Sequence, residues 1–280
     1  LYRVMASSFC ACLVYAVSIY QAYLAITSTL LILLLIQRLL ITEESAVSLF
    51  KKGVAYVFFL GISMGIYWMI TKLVWIVTGT AIGSYARYAF TLTPKFLIKG
   101  IRQVYVSFGE MFRYGVSGVM PSFVSRILHM LCLLAVGTEV FLWMLQNRKL
   151  GRSVLMLFLL VLLPVSINCM YLFISYDAIH TLVLYSCAML YVFFAFVAEL
   201  ALKEKNTFLY LLRQFAREGI ILSLLVITGN NIYVANEAYL NMHMAYENTY
   251  AVTNSVMAMV QDLTGYTHEE PIAILGTYQP

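Results

Sequence analysis

The stretch Ala22–Ile41, AYLAITSTLLILLLIQRLLI, holds one charged residue, Arg38, in 20 positions. A transmembrane helix needs about 20 predominantly apolar residues. In hydrocarbon every backbone N–H and C=O must be satisfied within the segment, so such a run is a helix. Comparable runs recur along the whole 280-residue chain, which is 62% hydrophobic and 11% charged, with a mean hydropathy of +0.85. A soluble domain carries about 25% charged residues. The expected fold class is an all-α polytopic membrane protein with about seven transmembrane helices.

Working outward, the expected spans are 4–19, 22–41, 53–77, 123–145, 154–174, 181–201 and 217–235. Pro164 is expected to kink the fifth. Three connectors are basic, through Arg38, Lys51 and Lys52, then Arg148, Lys149 and Arg152, then Lys203, Lys205, Arg213 and Arg217. Alternating spans put all three on one side, which the positive-inside rule makes cytoplasmic. The break at Tyr20-Gln21, the long segment 79–122, the Ser175–His180 turn and the C-terminus are then expected outside. No Lys or Arg follows Arg217, whereas Glu237, Glu247, Asp262, Glu269 and Glu270 do.

Residues 1–235 are read as the transmembrane domain. Residues 236–280 are read as the start of an extracytoplasmic domain. Within them Ala238, Met242, Ala245, Thr249, Val252, Val256, Met259 and Leu263 alternate in steps of four and three, a helical seam leaving the last span directly. Gly265 is expected to end that helix. Pro271–Gly276 reads as the first strand of a small α/β domain, and the chain as an internal or C-terminal fragment of a longer protein. Cys10, Cys12, Cys132, Cys169 and Cys187 all lie in apolar spans without a Cys-x-x-Cys pair, so neither a disulfide framework nor a metal site is expected. The net charge of +5 is spread over loops, which leaves no nucleic-acid surface.

Arg87, Lys95, Lys99, Arg102 and Arg113 lie in the segment 79–122, on the side where cations are usually scarce. Thr93 suits a helix cap and Pro94 its first turn. On a helical wheel Lys99, Arg102 and Arg113 fall within about 40° of Lys95. Leu97, Ile101, Val104, Tyr105, Phe108 and Phe112 gather on the other side. This is an interfacial amphipathic helix with its apolar face toward lipid or protein. Its basic stripe either lies on anionic headgroups or borders a substrate cavity.

Other groups carry chemistry too. Asp177 and His180 are three apart in the turn between the fifth and sixth spans. A carboxylate and an imidazole there suit proton transfer, metal binding or sugar orientation, or simply satisfy the turn. His129 and Glu139 are ionisable residues inside a span, His129 placed to reach the cavity and Glu139 to snorkel or to pair with a basic loop residue. Lys72 and Arg126 flank the outer loop and, with Arg87 and Arg102, could form a phosphate pocket. Tyr20, Gln21 and Tyr23 either line the same face or anchor an aromatic belt.

Further motifs carry a likeness to a known family. They are Ile19–Tyr23, the amphipathic outer loop after the third span, and His180–Tyr185 opening a span. The last span also exits into Asn230–Tyr239, followed by Ala245–Thr249, Gly265-Tyr266 and Pro271–Gly276. In these the chain resembles the Gtr-type bacterial membrane glucosyltransferases, the O-antigen serotype-conversion group of C-type glycosyltransferases. The resemblance implies transfer of glucose from a polyprenyl-phosphate donor to a cell-surface glycan at the outer face of a bacterial cytoplasmic membrane. It implies a catalytic acidic motif in a first outer loop that has no counterpart here, so the catalytic residue is unassigned. Expected donor-phosphate contacts are Arg87, Lys99, Arg102 and Arg126. Expected sugar or acceptor contacts are Asp177, His180, Tyr20 and Gln21. No cofactor is indicated, and a divalent metal stays open. A flippase for lipid-linked sugars and a polysaccharide polymerase or ligase are the alternatives.

Overall fold

A computed structural model describes residues 2–79, 94–114, 123–147, 149–174, 185–200 and 207–262. The helices are α1 (Tyr2–Ile19), α2 (Tyr23–Ile41), α3 (Ala46–Thr78), α4 (Pro94–Tyr114), α5 (Phe123–Gln146), α6 (Leu150–Ile167), α7 (Ala188–Leu200) and α8 (Thr207–Gln261), with a 3₁₀ turn at Cys169–Leu172. Among the described residues there is no strand. Five helices are long and apolar enough to cross a membrane, namely α2, α3, α5, α6 and α8. The other two expected spans correspond to α1 and α7, which are apolar but shorter. Several long apolar helices are compatible with a multi-pass membrane protein.

The helix ends follow from local chemistry. Ser45 starts α3 well before residue 53, because its side chain accepts the Ser48 N–H at 3.2 Å. Gly79 ends α3 in the left-handed region, φ 64°, its amide bonded to the Trp75 carbonyl, a conformation that favours glycine. α6 stops at Ile167 rather than running to 174. Pro164 has no N–H to give the ladder, and the chain passes through Asn168 into the 3₁₀ turn. Inside the helices Thr27, Thr29, Ser63, Thr71 and Thr138 each donate to the carbonyl four residues back. This satisfies hydroxyls that have no water to bond.

α8 differs most from expectation. It begins at Thr207, where a connector was expected to residue 218, and runs unbroken for 55 residues. The tail seam therefore does continue the last span as one helix. Gly265 and the expected strand Pro271–Gly276 lie outside the described residues.

The chain divides into two compact units between Val226 and Ile227. In the first unit α2 and α6 are the central helices. The main core joins Ile36 and Leu39 of α2, Leu49 of α3, Val104 and Phe112 of α4, and Val136 of α5. It also includes Met156 and Leu163 of α6, Phe193 and Phe194 of α7 and Ile220 of α8. A smaller cluster joins Leu13 and Val17 of α1, Leu24 and Ala25 of α2, and Cys169 and Met170. α3 buries little beyond Leu49 and Ser63, as suits a helix that turns most of its surface to lipid. In the second unit the remainder of α8 is mostly exposed, with Val252 and Val256 partly covered.

Two arginines are buried with partners. Arg152 donates through Nη2 to the Leu39 carbonyl, and to that of Thr42 at 2.7 Å. It sits 5.7 Å from the Trp143 ring and 3.5 Å from Glu43. It thus caps the open carbonyls at the end of α2, where a cation is favoured. Arg213, expected in an exposed connector, is buried in α8 with its Nε 3.2 Å from Glu139 of α5. Glu139 stands seven residues from the end of α5 and Arg213 six from the start of α8, about 10 Å along the axis. The carboxylate makes the burial tolerable, since a paired charge costs far less to desolvate than a lone one.

Candidate functional site at the Tyr20 end of the bundle

α4 has three faces where the sequence pattern showed two. The buried face runs through Gly100, Val104 and Phe112, with Met111 half-buried beside them. Lys99, Arg102 and Arg113 form the exposed basic face, and Ile98, Ile101 and Tyr105 make an exposed apolar edge between the two. The apolar side expected to meet lipid or protein is thus partly packed on the bundle and partly exposed. Among the described residues neither Lys99 nor Arg102 has an ion-pair partner.

The docking of α4 is specific. Gly100 lies so close to the 3₁₀ turn that a Cβ there would stand 2.7 Å from the Tyr171 carbonyl oxygen. Asn168 donates through Nδ2 to the Val104 carbonyl at 3.1 Å, and Ser107 donates to the Tyr171 hydroxyl at 3.0 Å. Tyr105 donates to the Val161 carbonyl at 2.9 Å. A helix held by four such contacts presents its cations on a fixed frame rather than on a loose loop.

Arg126 is half-buried on α5, one turn before His129. His129 itself is buried, its Nε2 2.9 Å from the Tyr191 hydroxyl of α7 and its ring 6.0 Å from Phe112 of α4. It bridges three helices. Lys72 lies over Trp68 and Trp75, at 5.7 and 4.9 Å from the ring centres, a cation–π arrangement on an exposed helix face.

Tyr20 and Gln21 occupy the turn between α1 and α2. Gln21 donates through Nε2 to the Tyr67 hydroxyl of α3 at 3.1 Å, and Tyr20 meets Tyr23 edge to face at 6.3 Å. Phe173 and Ile174 pack on the same small cluster as Leu24 and Tyr67. The segment 168–174 is therefore wedged between α4 on one side and the ends of α1, α2 and α3 on the other. Arg87, Asp177 and His180 lie outside the described residues. Among the described residues no three His, Cys, Asp or Glu side chains gather into a metal-binding group.

Of the expected contacts, Lys99, Arg102 and Arg126 belong to the α4–α5 side of this end and Tyr20 and Gln21 to the α1–α3 side. Ser107, Tyr171 and Asn168, which hold α4 in place, were not singled out by sequence, nor were Tyr67 and Tyr191. Asn168 carried the best available signal, as an amide inside an apolar run just past a proline. The Asn168 Oδ1 is buried without a hydrogen-bond partner.

Residues 3–202 match the family model described as glucosyl transferase GtrII. That range takes in α1 to α7 and every expected contact residue. No curated protein and no solved structure matches the chain.

Proposed function

The chain belongs to the GtrII glucosyl transferase family, and from that premise we propose that it transfers glucose from a polyprenyl-phosphate donor to a cell-surface glycan at the outer face of a bacterial cytoplasmic membrane. The observation that carries the reading is the exposed basic face of α4, held to the bundle through Gly100 and Asn168. A polyprenyl-phosphate sugar has an anionic phosphate at headgroup level and an apolar tail in the bilayer. The exposed Ile98–Tyr105 edge beside Lys99 and Arg102 offers both chemistries on one helix.

In the transfer an acceptor hydroxyl oxygen forms a bond to the glucose anomeric carbon as the bond from that carbon to the phosphate oxygen breaks. The acceptor proton goes to a base, and polyprenyl phosphate leaves with the electron pair. Charge grows on the phosphate in the transition state, so fixed cations there accelerate the step. Arg87, Lys99, Arg102 and Arg126 are assigned to that phosphate, the arginines suited by their planar fork. Asp177, His180, Tyr20 and Gln21 are assigned to the sugar or acceptor. The acceptor side and the C-terminus are then extracytoplasmic.

The test is replacement of Arg102 and Arg126 by Ala in the intact protein. Glucose transfer from a polyprenyl-phosphate donor should fall at least about 10²-fold, the loss typical of one preorganised charge-stabilising group, with membrane insertion retained. Unchanged transfer would overturn the phosphate assignment.

A further inference from the structure

A lateral groove of about 280 Å³ opens between α2, α3 and α6. Its walls are almost wholly apolar, through Leu35, Gly53, Val57, Leu60, Phe158 and Leu162. Phe50 and Phe158 face each other across it at 6.5 Å. Gly53 sits on its floor, where even a Cβ would stand 3.2 Å from Leu35. Along α3 the lining runs from Leu49 to Leu60, about 16 Å of helix. The hydrocarbon of one leaflet is about 15 Å deep, half the core thickness.

The groove begins beside a basic surface. Arg38, Lys51, Lys52, Lys149 and Arg152 stand there against two carboxylates, Glu43 and Glu44. Arg38 and Lys52 share Glu44, and Arg152 is turned inward to the α2 carbonyls. Lys51 is exposed with no ion-pair partner among the described residues. Lys149 meets only Glu43, at 3.6 Å between two well-exposed groups, a pairing of little strength. Lys51 follows Phe50 of the groove wall, and Lys149 precedes α6, whose first turn lies near that of α3 (a Cβ on Gly151 would stand 3.7 Å from the Ala46 Cβ).

We propose that this groove is a binding site for an anionic phospholipid, with one acyl chain lying between α3 and α6 and the phosphate between Lys51 and Lys149. The occupant is a membrane lipid of the leaflet beside that groove, distinct from the donor assigned to α4. Two independent features point to it, a groove as long as one leaflet is deep and an unneutralised positive charge at its mouth. Basic pockets between transmembrane helices take anionic headgroups in this way.

The experiment uses the intact protein in mild detergent, titrated with dioleoyl phosphatidylglycerol or dioleoyl phosphatidylcholine, with bound lipid counted by native mass spectrometry. Phosphatidylglycerol should be retained over phosphatidylcholine. Lys51→Gln with Lys149→Gln should cut that preference about 30-fold, the ratio two basic residues supply at a membrane surface. Val57→Trp, at an exposed wall position, should fill the groove and remove tight binding of both lipids while the protein stays monodisperse. Equal retention of the two lipids by the unaltered protein would overturn the headgroup assignment, and undiminished binding in Val57→Trp would overturn the groove. Displacement of phosphatidylglycerol by equimolar polyprenyl phosphate would overturn the choice of occupant. The lysine variants decide the matter even if the tryptophan variant fails to fold.

Discussion

Glu139 and Arg213 are buried together, 3.2 Å apart, in the wall between α5 and α8. Removing one partner of such a pair leaves an uncompensated charge and costs about 3–5 kcal/mol, whereas replacing both with apolar residues is often neutral or stabilising. Arg213→Leu should therefore lower the unfolding midpoint of the purified protein sharply, and Glu139→Leu with Arg213→Leu should restore most of it. A double variant as unstable as the single one would show that the residues act separately. Glycines give a second contrast. At Gly100 a Cβ meets a backbone oxygen, while at Gly109 of the same helix it meets nothing within 4 Å. Gly100→Ala should cost about 1–3 kcal/mol. Gly109→Ala should be neutral or stabilise by up to about 1 kcal/mol, from helix propensity. The same thermal unfolding series checks both. At this scale the sequence revealed little. Glu139 was legible as a candidate to pair with a basic loop residue, and its partner Arg213 comes from the run read as a connector, which is helix. The close approach at Gly100 depends on a turn 70 residues away in sequence.

α4 shows how far one element can be read. Its start at Pro94 and its basic stripe came directly from spacing, because 3.6-residue periodicity needs no tertiary information. Its third face did not, because which apolar residues meet protein and which meet lipid is decided by the docking partner. Helix ends were less legible. The cap at Ser45 was passed over, so that the third span was expected from residue 53, and a basic, polar run was read as a connector where α8 continues as helix. The short link between α2 and α3 supports a pH prediction. Its Glu44 carboxyl is held below the ordinary glutamate value, chiefly by the hydrogen bond from Lys52, with Arg38 adding charge. A carboxyl lowered in the folded state contributes stability that is complete above its unfolded pKa and is lost as pH falls through the folded one. Glu44→Gln should thus narrow the stability gap between neutral and acidic pH. The effect will be small because the group is exposed and screened. Parallel denaturation profiles of the two proteins that superimpose at every pH would refute it.

At the scale of the molecule, composition alone led to an apolar helical bundle, since no other backbone arrangement except a closed barrel satisfies its hydrogen bonds in lipid. The number of spans was less legible, because α1 and α7 are apolar but short and their membrane depth depends on what they pack against. Sidedness rests on the distribution of charge. Basic residues crowd the ends of α2, α3 and α6, and none follows Arg217. By the positive-inside rule we propose that the α2–α3 link lies inside. The outer loop's own cations argue the other way, but a long segment translocates largely regardless of charge. This can be decided with single cysteines in a background lacking Cys10, Cys12, Cys132, Cys169 and Cys187. Asp262→Cys should react with an impermeant maleimide in intact cells, and Lys149→Cys only after permeabilisation. The reverse pattern would invert the bundle and move Lys99, Arg102 and Arg126 to the cytoplasmic face. Transfer at the outer surface would then be lost as a reading, while the Lys51–Lys149 lipid site would simply change leaflet.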